Sequence, residues 1–367
     1  MENVKQKSSR EALLHIIKRQ EMGKRQATAL RFGALLLALI AGGVFILCMG
    51  HSPFGVYRTM VSGAFRSKMA VQATVRNMIP LLLTSLSVTL AFKMRFWNIG
   101  AEGQMIMGAV FASYFGLFHS DWPHAVLIPV MLLAGIVGGG LFGLIPALFK
   151  TKFGTNETLF TLMLNYIALY LVVYLEDRPW RDPSSPGYAK FAIFGNNAKL
   201  SKVFGVQSGW IIALVMLVAV AVYMKYTKHG YEISVVGESE ATARYAGMNV
   251  KKIVLRTMFL SGAVSGIAGM VQASGTTGTL SQGIANGVGF TAIIVAWLGR
   301  LNPVSIFIIT FLFAVMEKGS SVVRSTFNLS EAFASVLQGI ILFFVLGCEF
   351  FIRYRIVARK RGGKTEQ

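Results

Sequence analysis

Charged residues are scarce in this chain of 367 residues. Asp, Glu, Lys and Arg together make up 14% of the sequence, whereas 54% of it is hydrophobic and the mean hydropathy is +0.58. So few polar groups cannot cover the exterior of a soluble fold. A lipid bilayer, which accommodates apolar stretches of about 20 residues, is the solvent that this composition predicts.

Several site chemistries are also missing. The two cysteines, Cys48 and Cys348, lie inside apolar runs, and the five histidines show no ligand spacing, so we predict no metal site. The segment Gly362 to Thr365 reads GGKT, but Ala358 stands where a phosphate-binding P-loop needs its first glycine. We therefore expect no bound cofactor, no enzymatic activity and no ATP hydrolysis by this chain itself.

Acidic residues are rare, with 16 Asp and Glu against 36 Lys and Arg, which gives a net charge of +20. The basic residues cluster between the apolar runs and are not interleaved with aromatic residues on a polar segment, so nucleic acid is not the predicted partner. Membrane lipid is.

Ten apolar stretches are long enough, or nearly so, to be membrane spans, and we predict an all-α integral membrane protein with about ten transmembrane helices. Gly289–Leu298 is the weakest of them. The stretches are Arg31–Met49, Asn77–Phe92, Ile99–Phe118, Ala125–Phe149, Glu157–Leu175, Trp210–Met224, Thr257–Ala273, Gly289–Leu298, Val304–Met316 and Ala332–Phe350.

The loops between these stretches alternate between basic and non-basic, and short basic loops stay in the cytoplasm. This alternation predicts that both termini are cytoplasmic, with a basic tail at residues 1–30, a transmembrane domain at 31–352 and a second basic tail at 353–367. The basic stretch from Arg58 to Lys68 breaks the alternation, and we expect an interfacial helix there.

The longest cytoplasmic loop, residues 225–256, contains a predicted short helix from Ser239 to Ala246 with Gly247 as its C-cap. Small residues such as Ala243 and Gly247 could sit in a partner's groove, with Glu238, Glu240 and Arg244 at its rim. The alternative is a solvated loop helix that contacts nothing.

Polar residues interrupt two spans: Asn98, Glu102 and Gln104 lie at the start of one, and Asn165 lies deeper in another. A polar group at this depth needs water or a hydrogen-bonding partner. For Glu102 two interpretations stay open, which are lining of an aqueous pathway and a structural hinge. Glu157 is equally well explained as a charge at a helix N-terminus.

Four blocks of sequence resemble those of ATP-binding cassette importer permeases of the ribose and branched-chain amino-acid group, nearest to nucleoside (guanosine) permeases. They are FWNIGAEGQMIMGA (Phe96 to Ala109), GTNETLFTLMLNYIA (Gly154 to Ala168), the loop Gly230 to Val254, and GVGFTAIIVAWLGRLNP (Gly287 to Pro303). The resemblance implies a BtuC-like type II permease in a bacterial plasma membrane. It also implies three partners, namely a second homologous permease, a cytosolic ATPase that binds ATP, and an extracytoplasmic substrate-binding lipoprotein.

By this resemblance the loop 225–256 couples the chain to the ATPase. A nucleoside pathway should combine aromatic, amide and hydroxyl groups, which is the chemistry of Asn98, Gln104, Asn165, Phe290 and Thr291, with Glu102 beside them. A simple sugar would satisfy the same groups. A third hypothesis is an ion-coupled secondary transporter that uses Glu102, Glu157 and Glu317 as ion sites.

Overall fold

The computed structural model describes residues 14–18, 23–185, 187–330 and 354–358, together with scattered positions between 333 and 352 that are helical. The helices of these described residues are α1 Lys24–Cys48, α2 Pro53–Phe65, α3 Lys68–Lys93, α4 Ala101–Phe118, α5 His124–Phe153, α6 Glu157–Asp177, α7 Gly209–Tyr226, α8 Lys228–Glu238, α9 Glu240–Tyr245, α10 Val250–Val271, α11 Val288–Leu298 and α12 Pro303–Phe327. A π-helical stretch, Gln272–Thr277, extends α10.

Six helices of the described residues are long and apolar enough to cross a membrane, namely α3, α5, α6, α7, α10 with its extension, and α12. Residues Phe32–Cys48 and α2, bent by 112°, could together form a seventh span. The short α4 and α11 fall outside that set, and the predicted span Ala332–Phe350 lies largely outside the described residues. The number ten therefore stays a prediction.

Side-chain caps fix where several of these helices begin. Asn156 accepts hydrogen bonds from the Thr158 and Leu159 amides at the start of α6. Asn302 does the same for α12, where Pro303 occupies the first turn. Such caps satisfy amides that the helix itself leaves unpaired.

Small residues allow α10 to pack closely against α4 and α5. A Cβ atom added to Gly139 would lie 2.7 Å from the Gly266 Cα, and one added to Gly135 would lie 3.0 Å from the Gly266 carbonyl oxygen. Small residues at such contacts are typical of packing between membrane helices.

The chain divides into two compact units, residues 59–328 and residues 1–58 with 329–367. In the second unit, strand β1 (Leu14–Lys18) pairs antiparallel with β4 (Tyr354–Ala358). In the first unit, β2 (Lys202–Val203) pairs with β3 (Val206–Gln207). These two short sheets are additions to the predicted all-α fold, and the domain boundaries drawn from the sequence stay predictions.

Candidate substrate pathway and coupling element

The backbone just before α4 is not helical, although it lies inside the protein. Phe96 and Asn98 are buried, and the Asn98 side chain exchanges two hydrogen bonds with that of Gln104, at 3.1 and 3.2 Å. Asn98 Oδ1 also accepts from the Gly100 amide at 3.0 Å. Non-helical backbone at membrane depth persists only where the protein or enclosed water satisfies its polar groups, and here side chains do so.

A buried serine cluster continues this network. Asn98 Nδ2 lies 3.4 Å from Ser261 Oγ, and Ser87 and Ser261 bond to each other's backbone carbonyls at 2.6 and 2.9 Å. Ser265 Oγ donates to Ser87 Oγ at 2.8 Å. The cluster therefore joins α3, α10 and the start of α4. Sequence reasoning missed it, although serines spaced by four in an apolar span, Ser261 and Ser265, were an available signal.

Asn165 of α6 holds the beginning of α4. Its Oδ1 accepts from the Gly103 amide at 2.8 Å, and its Nδ2 donates to the Ile99 carbonyl at 3.0 Å. One helical turn away, Thr161 Oγ1 accepts from the Ile99 amide at 3.1 Å. Gly103 must be small, because an added Cβ would lie 2.9 Å from Asn165 Oδ1.

Glu102 connects two helix N-termini. It lies in the first turn of α4, and its carboxylate accepts hydrogen bonds from the backbone amides of Gly287 (2.8 Å) and Gly289 (2.5 Å) at the start of α11. A negative charge stabilises the positive end of a helix. The side chain is 8% exposed, and the two backbones approach so closely that a Cβ at Gly289 would lie 2.6 Å from the Glu102 Cα. This geometry favours the hinge interpretation of Glu102.

Phe290 and Thr291 follow on α11, directly after the position that Glu102 caps. The Phe290 side chain is 42% exposed and Thr291 is partly exposed. The polypeptide reaches α11 through a loop whose Leu280 and Ile284 are each 1% exposed. This buried loop and the short α11 together form a segment that is helical over only part of its length, an arrangement found at the substrate sites of membrane transporters.

The structure thus brings the six predicted pathway residues together around the start of α4 and α11, but in two roles. Asn98, Glu102, Gln104 and Asn165 bond to neighbouring protein groups, whereas Phe290 and Thr291 retain exposed surface. Glu157 lies in the first turn of α6, the position that its helix-terminus interpretation predicts, and it also pairs with Lys150 at 2.8 Å. Among the described residues, no group of three or more His, Cys, Asp and Glu side chains could hold a metal ion.

The predicted coupling helix is present as α9. Ser239 caps it by accepting from the Thr242 amide, and Gly247 follows with φ +76°, the left-handed conformation expected of a C-cap glycine. Glu238, Glu240, Arg244 and Gly247 are exposed. Ala243 requires a correction, because it is 0% exposed and packs against its own chain rather than presenting a small face to a partner. Only tertiary packing determines which side of so short a helix is covered.

The preceding helix, α8, is fastened to two spans. Glu232 pairs with Arg256 of α10 at 2.8 Å, and a Cβ at Gly237 would collide with the Lys93 carbonyl at the end of α3. The Arg256 hydrogen bond holds the pKa of Glu232 below its ordinary value. Sequence reasoning did not find this attachment of α8 to α3 and α10.

Comparison with known proteins agrees with this architecture. The family model "Branched-chain amino acid transport system / permease component" matches residues 71–346. The glucose ABC transporter permease protein TsgB13 of Haloferax volcanii is 32% identical, over 88% of this chain and 88% of that protein.

Two Bacillus subtilis proteins are also similar. The guanosine ABC transporter permease protein NupP is 30% identical over 90% of this chain and 96% of its own length. The guanosine ABC transporter permease protein NupQ is 29% identical over 64% of this chain and 76% of its own. The chain is a multi-pass membrane protein and a transport subunit, and it belongs to the family of ABC transporter permease components that the model describes.

Proposed function

We propose that this chain is the membrane-spanning subunit of an ATP-driven importer that brings nucleosides into a bacterial cell. The observation that carries the proposal is the likeness to guanosine permease NupP, which extends over 90% of this chain and 96% of that protein. The exposed Phe290 ring beside the Thr291 hydroxyl supports it, since a nucleoside offers a flat base for stacking and a ribose for hydrogen bonding.

A simple sugar is the second candidate substrate, because the likeness to the glucose permease TsgB13 is equally extensive. Competition separates the two. In cells that depend on this importer, uptake of labelled guanosine should fall when other nucleosides are added and stay constant when glucose is added. Inhibition by glucose, with none by nucleosides, would reassign the substrate.

Within the pathway we assign two roles. Phe290 and Thr291 contact the substrate, while Asn98, Glu102, Gln104 and Asn165 hold the beginnings of α4 and α11 around it. Uptake should therefore fall in the Phe290→Ala variant without loss of folded protein. Asn165→Ala should reduce both the uptake and the amount of folded protein, because it leaves the Gly103 amide and the Ile99 carbonyl without their partner.

The partners follow from the same proposal. Two guanosine permeases of one organism, NupP and NupQ, both resemble this chain, which supports pairing with a second homologous permease. A cytosolic ATPase would bind at α9, and a substrate-binding lipoprotein would dock on the opposite face. Large apolar side chains outside the spans, Tyr188, Ile193 and Phe204, are 68 to 84% exposed and offer a surface for that docking.

We further propose that both termini lie in the cytoplasm and that the fold is of the BtuC-like type. The charge of the loops supports the orientation. The antiparallel pairing of β1 with β4 supports it as well, since it puts segments near the two ends of the chain side by side.

The coupling role of the 225–256 loop is tested by docking of the ATPase. Gly247→Trp places a large ring on exposed backbone where an added Cβ meets nothing of this chain, but the φ of +76° strains any side chain at this position, so Gly247→Ala, which carries the same strain without the ring, is the matched control. Relative to Gly247→Ala, the complex of the Gly247→Trp variant with the ATPase should weaken by about 1–3 kcal/mol. Ala243→Trp, by contrast, should harm the fold itself. Normal co-purification of the ATPase with the Gly247→Trp variant, together with normal uptake, would show that the ATPase binds elsewhere.

A further inference from the structure

Helices α3 and α11 end in the same way. After α3, the amide of Arg95 donates to the Phe92 carbonyl at 3.0 Å, and after α11 the amide of Arg300 donates to the Trp297 carbonyl at 2.9 Å. In each case the following amide donates to the carbonyl five residues earlier, at 3.1 and 2.9 Å. These paired bonds form a Schellman motif at both helix ends.

Both motifs place an arginine where glycine is usual. The residue that follows such a helix end adopts the left-handed conformation, which glycine reaches at the lowest cost and which Gly154 adopts after α5. Here Arg95 has φ +58° and Arg300 has φ +52°. The helix dipole favours a cation near a C-terminus, but α3 already carries Lys93 in its last turn. The arginines therefore add positive charge beyond what the end of α3 supplies for its dipole.

An aromatic cluster holds the two helix ends side by side. The ring centroid of Phe92 lies 5.5 Å from that of Trp97 and 5.9 Å from that of Trp297. The two tryptophan rings stack on each other at 5.6 Å, and Trp97 is 47% exposed. Because the amides of Arg95 and Arg300 bond to the carbonyls of Phe92 and Trp297, both arginines lie directly beside this cluster.

The aromatic cluster lies at the edge of the membrane-spanning region. The candidate span α3 ends at Lys93, and the candidate span α12 begins at Pro303. The turns 93–97 and 297–302 therefore lie at one membrane surface. Tryptophan side chains concentrate at this depth, because the ring is apolar and its N–H reaches the polar headgroups. The exposed ring of Trp97 thus suits contact with lipid at the headgroup level.

The charge of these two turns is strongly positive. They contain Lys93, Arg95 and Arg300 and no Asp or Glu, and both arginine side chains are exposed. Gly237 of α8 approaches the Lys93 carbonyl, which brings the exposed Glu238 to the same place as one opposing charge. Among the described residues, the Arg95 guanidinium has no hydrogen-bonding or ion-pairing partner. An anion complements this excess of cations, and a guanidinium binds phosphate through paired hydrogen bonds.

We propose that the ends of α3 and α11 form a binding site for an anionic phospholipid. Lys93, Arg95 and Arg300 hold its phosphate. The rings of Trp97 and Trp297 contact its glycerol backbone and upper acyl chains. Adjacent cations and exposed indole rings at the membrane surface fit a ligand that is anionic at one end and apolar at the other. The site does not depend on which solute the protein imports.

Quenching of tryptophan fluorescence by brominated lipid tests the proposal. The full chain is reconstituted in phosphatidylcholine nanodiscs after Trp122→Phe, Trp180→Phe and Trp210→Phe, so that only Trp97 and Trp297 emit. A fixed small fraction of the lipid is replaced by phosphatidylglycerol or phosphatidylcholine that carries bromine on its upper acyl chains. Brominated phosphatidylglycerol should quench about twofold or more as strongly as brominated phosphatidylcholine, because the anionic lipid is held beside the rings.

Variants of Arg95 separate the charge from the conformation of the backbone. Arg95→Gln keeps the strain and removes the charge, whereas Arg95→Gly removes both, so it keeps the test decisive where Arg95→Gln fails to fold. Both should lose the preference for phosphatidylglycerol, and Arg95→Lys should retain it. Lys152→Gln is the matched control, because Lys152 is an exposed cation at the end of α5, 5.3 Å from the Phe153 ring centroid. It should leave the preference unchanged.

Three outcomes would overturn the proposal. The first is equal quenching of the native tryptophans by the two brominated lipids. The second is a preference for phosphatidylglycerol that persists in Arg95→Gly and Arg95→Gln or that falls equally in Lys152→Gln, since either would reflect the overall charge of the protein. The third is cross-linking of an Arg95→Cys variant to the ATPase in the complete transporter, which would make this surface a contact between subunits.

Discussion

Removing the carboxylate of Glu102 should loosen the beginning of α11. In the Glu102→Ala variant the amides of Gly287 and Gly289 lose their acceptor in a site that is otherwise buried. An unsatisfied buried amide costs about 1–3 kcal/mol, so two should cost about 2–6 kcal/mol of local stability. Glu102→Gln keeps one acceptor oxygen, but its NH₂ group cannot accept a hydrogen bond from the other amide. This variant should therefore lose about half as much local stability as Glu102→Ala.

Hydrogen exchange measures this loosening directly. We expect a peptide that covers the start of α11 to exchange roughly 30-fold faster or more in Glu102→Ala protein in lipid nanodiscs, since about 1.4 kcal/mol corresponds to tenfold. The exchange rate of this peptide in Glu102→Gln protein should lie between the rates in Glu102→Ala and in the native chain. Glu238→Ala, at an exposed glutamate of α8, is the matched control and should change nothing there.

The reasoning fails if Glu102→Ala leaves exchange at the start of α11 unchanged. It also fails if α6 loosens as much as α11, because the carboxylate would then stabilise the whole bundle rather than this contact. Either result would remove the hinge interpretation of Glu102 and return it to the pathway lining that the sequence left open.

Other substitutions test the remaining contacts. Gly266→Ala should destabilise the protein by about 1–3 kcal/mol in thermal unfolding, whereas Gly33→Ala, where an added Cβ meets nothing within 4 Å, should not. Glu232→Gln should weaken substrate-stimulated ATP hydrolysis by loosening α8 from α10. The folded pKa of Glu232 is lowered, so its ion pair contributes its full stability above the ordinary glutamate pKa of about 4.3. This stability is lost only as the pH falls through the lower folded pKa. The loss of ATP hydrolysis in the Glu232→Gln variant should therefore be the same from neutral pH to pH 6. A Thr365→Cys variant should resist an impermeant thiol reagent added outside intact cells, and rapid labelling would overturn the cytoplasmic assignment.

Local pattern was enough to predict much of the fold. Long apolar runs anticipated α3, α5, α6, α7, α10 and α12, since lipid imposes the same length and composition on every span. Ser239 and Gly247 delimited α9, because caps act within a few residues of the helix end.

Contacts between distant residues could not be predicted in the same way. The polar residues near Asn98 were identified as unusual, but the acceptor for Gly287 and Gly289 lies 185 and 187 residues away in sequence, and no local spacing encodes that contact. Burial of Ala243 and attachment of α8 through Gly237 likewise depend on neighbouring helices. A sequence shows that a buried polar group needs a partner without identifying that partner.

The most direct test of the account is guanosine uptake by the proposed transporter, assembled from this permease, a second permease and an ATPase, in proteoliposomes supplied with the proposed binding protein. The account predicts uptake that requires ATP on the ATPase side, fails with ADP and is unaffected when proton and sodium gradients are abolished. Uptake that proceeds without ATP and follows an ion gradient would contradict it.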